Sequence, residues 1–74
     1  MLSEMQIGQT FIIESLSEVD PKLRRRMRDL GMAAGSKTTV IDKLPFGGPY
    51  ILSVKDQSLA IRKMDASRIK VKAL

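Results

Sequence analysis

Cysteine and histidine are both absent from this chain, which removes disulfides together with the thiolate and imidazole ligands that transition metals favour. A metal would have to be held by carboxylates, carbonyls or methionine sulfur. The eight carboxylates are scattered, and none recurs at the spacing of a calcium loop, so the sequence predicts no metal site and no cofactor. Lack of histidine also removes the commonest general acid and base, and neither a G-x-x-x-x-G-K-[ST] loop nor a G-x-G-x-x-G turn is present. A non-enzymatic protein is expected. Long apolar runs are missing as well: Thr10-Phe11-Ile12-Ile13 falls far short of the ~20 residues of a membrane helix, and Met1-Leu2-Ser3-Glu4 lacks the basic start and apolar stretch of a secretory signal. The expected location is a reducing cytoplasm.

What is present is basic and unevenly spread. Residues 1–20 hold four acidic and no basic residues, whereas 21–74 hold thirteen basic against four acidic, giving −4 and +9 within a net +5. Such a field suits nucleic acid, an anionic membrane face or an acidic protein, or else merely keeps a small protein soluble. The 74 residues admit one domain, 1–74, whose core is small because a chain of this size buries only ~60% of its unfolded surface. Five methionines, Met1, Met5, Met27, Met32 and Met64, are read as core filler, the usual use of a flexible thioether.

The segment Asp20 to Gly31, DPKLRRRMRDLG, is punctuated as one helix. Asp20 can accept from the first free N–H groups, Pro21 suits the first helical position, and Gly31 can take the left-handed conformation that ends a helix. Leu23, Met27 and Leu30 lie within about 60° of one another at 100° per residue and form a narrow core stripe. Lys22, Arg24, Arg25, Arg26 and Arg28 remain on the other faces, as a wet surface or as a basic patch.

Elsewhere the hydrophobic period is two. Thr10–Glu14 reads as a first strand. Thr38, Val40 and Leu44; Tyr50, Leu52 and Val54; Leu59 and Ile61; and Ile69 and Val71 give the inward positions of four more. Lys55-Asp56-Gln57 makes a tight connection, and Met64-Asp65-Ala66-Ser67 leaves room for a single helical turn before the last strand. Five short strands are too few for a sandwich and contain no repeated βαβ unit. The expected fold is therefore mainly β: a small, five-stranded antiparallel barrel with one short helix inserted between strands 1 and 2.

Leu44-Pro45-Phe46-Gly47-Gly48-Pro49-Tyr50 joins strands 2 and 3. Loops normally show polar residues to water, so Phe46 at such a tip either plugs the barrel or is offered to a partner. The chain has only three aromatic residues, Phe11, Phe46 and Tyr50. Phe11 and Tyr50 take inward strand positions, and no ring interrupts the arginines, which counts against single-stranded nucleic acid.

Four segments in order, LGMAAG at 30–35, LPFGGP at 44–49, LAIRK at 59–63 and ASRIKV at 66–71, resemble the successive motifs of the FeoA family, the small cytoplasmic component of bacterial ferrous iron transport. Ala34 departs from the proline common there. The resemblance implies an SH3-like barrel and a partner, the membrane permease FeoB with its cytoplasmic GTP-binding domain, which this chain would regulate or assemble from the inner face of the membrane. Leu44 to Tyr50 would be the docking loop. The helix end Leu30-Gly31-Met32 would complete a groove with it, beside Met27 and the basic face of Arg24, Arg25, Arg26 and Arg28. Two other readings stand: a small basic barrel that binds nucleic acid, and a GTPase activator with an arginine finger among those four arginines. Weak self-association is compatible with any of them.

Overall fold

The computed structural model describes residues 2–74, leaving Met1 outside the described residues. The chain runs through a 3₁₀ turn (Leu2–Glu4), β1 (Thr10–Ser15), α1 (Pro21–Asp29), β2 (Lys37–Lys43), β3 (Tyr50–Val54), β4 (Gln57–Ile61), α2 (Lys63–Ala66) and β5 (Lys70–Ala73). All pairings are antiparallel in the order β4-β3-β2-β1-β5. The five strands, the helix between β1 and β2 and the helical turn before β5 are those expected from the sequence, with ends shifted by one or two residues.

Inward residues of every strand share one core: Phe11 and Ile13 of β1, Val40 of β2, Leu52 of β3, and Leu59 and Ile61 of β4. Ile69 closes it just before β5. The 3₁₀ turn adds Leu2 and the following Met5, a contribution with no periodicity to mark it in so short a segment. Thr38 is also fully buried, and its Oγ1 has no hydrogen-bond partner among the described residues. An unmet buried hydroxyl costs free energy that an apolar group of the same shape does not. Thr38→Val is therefore expected to raise stability by about 1 kcal/mol, read as a higher urea midpoint with an unchanged slope.

One departure from alternation bears on the site. Between Val40, opposite Leu52, and Asp42, opposite Ile51, the register of β2 shifts by one residue, a bulge that inserts Ile41 and flips the parity of all that follows. Lys43 takes the place opposite the buried Tyr50, with its Nζ 5.1 Å from the ring centroid, and Leu44, expected inward, is exposed. Met64 is likewise exposed, because the α2 turn points it away from the core, so it does not share the packing role of Met5, Met27 and Met32.

Candidate functional site

The β2–β3 loop is tied twice. Leu44 N donates to Pro49 O at 3.0 Å, and Gly48 N donates to Pro45 O at 3.1 Å. The inner bond closes a four-residue turn whose central residues, Phe46 and Gly47, have φ of 60° and 74°, the pattern of a type I′ turn. Glycine meets that demand at Gly47 without cost, but a bulky side chain in the left-handed region is a strained exception, at about 1–2 kcal/mol. Gly48 is required for another reason: a Cβ there would lie 2.9 Å from Leu44 Cβ and 3.0 Å from Pro45 O. The result is a rigid tip that presents Phe46 at 105% relative exposure. The plugging alternative is thereby excluded, and the ring stands in solvent.

Leu44 and the bulge residue Ile41 are exposed as well, and Gly8 N donates to Val40 O at 2.6 Å, which brings the turn carrying exposed Ile7 alongside β2. Among the described residues, four of the six exposed large hydrophobic ones, Ile7, Ile41, Leu44 and Phe46, thus lie in this loop, in β2 or in the turn bonded to β2. Sequence pattern found Phe46 and set Ile41 outward by alternation with Val40, but it did not mark Ile7, and it set Leu44 inward because the bulge after Val40 leaves no mark in the hydrophobic period. Tyr50, expected as part of the docking loop, is buried instead and anchors the loop's base.

At the other end of β3, α1 stops as its punctuation predicts. Asp20 Oδ2 accepts from Lys22 N at 3.1 Å and from Leu23 N at 3.4 Å. Met32 N donates to Met27 O and Gly31 N to Arg28 O, with Gly31 at φ 85°, which is a Schellman stop complete with the buried Met27 and Met32 that its hydrophobic contact calls for. This corrects the expected groove. Met32 is core, Leu30 is half-buried, and Gly31 lies beside Val54, whereas the Phe46 loop enters β3 at Tyr50. Four strand steps, roughly 13 Å, separate the two ends, so the segment Leu30-Gly31-Met32 ends a helix and does not line a groove with Phe46.

Arg25, Arg26 and Arg28 are exposed and Arg24 is half-buried. No ion pair holds these four among the described residues; pairs found elsewhere include Arg62 Nε to Asp65 Oδ2 at 3.0 Å and Lys70 Nζ to Glu18 Oε2 at 3.3 Å. Phe11 and Tyr50 are buried, so no second ring joins Phe46 to form a stacking platform for bases. No group of three or more acidic side chains comes together as a metal ligand set among the described residues, and none of their helices is long and apolar enough to cross a membrane.

Strand order, the inserted helix and the helical turn before the last strand define an SH3-like domain. The FeoA domain model matches residues 1–73. The chain belongs to the FeoA family. It is 33% identical to the FeoA protein of Chlorobium tepidum, over 99% of this chain and 69% of that one, with a TM-score of 0.89. It is 28% identical to the zinc-complexed FeoA of Stenotrophomonas maltophilia, over 96% and 87% of the two chains at a TM-score of 0.76; that protein is described as a procaryotic SH3 domain protein and a suggested ferrous iron transport activating factor. A manganese-dependent transcriptional repressor, 22% identical at a TM-score of 0.80 over 40% of its length, shares the fold alone. Among curated proteins nothing matches the chain.

Proposed function

We propose that this chain is a non-enzymatic accessory protein of bacterial ferrous iron uptake that docks on the cytoplasmic side of the FeoB permease and regulates or assembles it. The observation that carries the reading is Phe46, fully exposed on a turn that strains its backbone. Strain of this kind persists where the surroundings enforce it, and it clusters at functional positions. A preset loop also loses little entropy when its tip is captured. Family membership supports the iron-uptake setting, and the absence of thiolate and imidazole donors separates the role from tight metal carriage.

The direct experiment is co-purification of this chain with a tagged permease from detergent-solubilised membranes. Retention through washing is expected, and its failure at every salt concentration would refute the docking. Charge should act on the approach more than on the hold. Arg25→Glu is expected to slow association several-fold, with an effect that fades as salt is raised, while dissociation stays nearly unchanged; surface plasmon resonance on the immobilised permease reads both rates. Anaerobic calorimetric titration with Fe(II) or Zn(II) is expected to show no saturable site tighter than ~1 μM, a threshold of about −8 kcal/mol. One such site would make this chain an iron carrier.

A further inference from the structure

We infer that the groove between α1 and the outer edge of β4 binds an extended acidic peptide segment, which adds to β4 as a sixth strand of the sheet. This surface is distinct from the Phe46 loop, and its test uses the purified chain without membranes, so it succeeds or fails independently of permease docking.

The two edges of the sheet are β4 and β5, and they are guarded differently. β5 carries Lys70 and Lys72, and its pairing with β1 shifts register between Ile13 and Ser15, both common means of keeping foreign strands away. β4 has neither device: Gln57-Ser58-Leu59-Ala60-Ile61 contains no lysine or proline, and its register with β3 is regular throughout. The β3–β4 loop has two residues, so the flanking pair Val54 and Gln57 exchanges hydrogen bonds and the pattern alternates from there. Ser58 and Ala60 therefore turn their N–H and C=O groups outward, and no backbone hydrogen bond reaches those groups from any other described segment. Both side chains are small and exposed, which leaves the edge open to close approach.

Facing this edge stands α1, across a groove of about 640 Å³. Lys22, Arg25 and Arg26 line the helix side, and Arg62 stands at the end of β4. The groove also holds three carboxylates, two of which are engaged: Asp20 caps α1 and Asp65 is paired with Arg62. Capping leaves Asp20 its charge, so four cations, Lys22, Arg25, Arg26 and Arg62, face three carboxylates and the lining keeps a net charge of +1. An exposed strand edge selects an extended backbone, and the cations on the opposite wall select acidic side chains on that backbone.

The probe is a short synthetic peptide alternating glutamate and valine, titrated into the isotope-labelled protein and followed by NMR. Saturable binding that weakens at least tenfold between about 0.05 and 0.3 M salt is expected, with hydrogen exchange at the Ser58 and Ala60 amides slowed about tenfold or more at saturation. Ala60→Pro removes an outward N–H at an edge where proline is tolerated. It should leave melting nearly unchanged and weaken the peptide tenfold or more, as should N-methylation of alternate peptide amides. Should the proline variant fail to fold, exchange at Ser58 and Ala60 in the unaltered protein decides. Equal binding of the methylated peptide, equal binding of a lysine–valine counterpart, no binding at all, or amides that stay unprotected at saturation would each overturn the inference.

Discussion

Met27→Ala is expected to remove about 2–5 kcal/mol of stability, the range for truncating a fully buried methionine. Met27 is 0% exposed, and it serves twice. Its side chain is the centre of the α1 stripe, and its carbonyl accepts the Met32 N–H that ends the helix. Loss of the side chain opens a cavity and also weakens the contact with Met32 that accompanies the helix stop. In so small a domain the total is a few kcal/mol to about 10, so the melting temperature should drop by on the order of 10 °C or more. Leu30→Ala removes a half-buried side chain and should cost visibly less. Equal melting of the two variants, followed by circular dichroism, would mean that the stripe is not ordered as the burial implies.

The helix was legible in the sequence because its signals are local. Asp20, Pro21 and Gly31 each act through backbone chemistry within a few residues, and the structure uses all three as their types suggest. Strand existence and connection lengths were legible for a similar reason, since alternation survives in any strand with one buried face. The bulge was not. Ile41 reads as an outward apolar residue in a β-run, which it is, and only pairing with β3 reveals that it is extra; the residues after it, Lys43 and Leu44, were consequently placed on the wrong faces. Leu30-Gly31-Met32 shows the converse difficulty, because a motif with a plain structural task, a Schellman stop, resembles a functional signature when read as letters. The groove between α1 and β4 was invisible for a third reason: it depends on which strands end at the sheet edges, a tertiary fact that neither segment encodes alone.

Phe46→Asn should separate stability from function by moving them in opposite directions. Asparagine tolerates the left-handed region, and Asn-Gly is the favoured pair for a type I′ hairpin turn, so replacing Phe46 at φ 60° relieves strain. No packing is lost, since the ring is wholly exposed. Stability should rise by up to about 1 kcal/mol, a few degrees in melting temperature for a domain of this size. Capture by the permease should fall about 10- to 100-fold, or roughly 1.4–2.8 kcal/mol, the scale of an aromatic anchor at an interface centre.

The decisive measurement is the dissociation constant of Phe46→Asn for the solubilised FeoB permease, taken beside its melting curve so that only folded molecules are compared. A variant that melts at or above the unaltered protein and binds at least tenfold more weakly is the predicted result. Undiminished affinity in a well-folded variant would contradict the assignment of the Phe46 loop as the docking element.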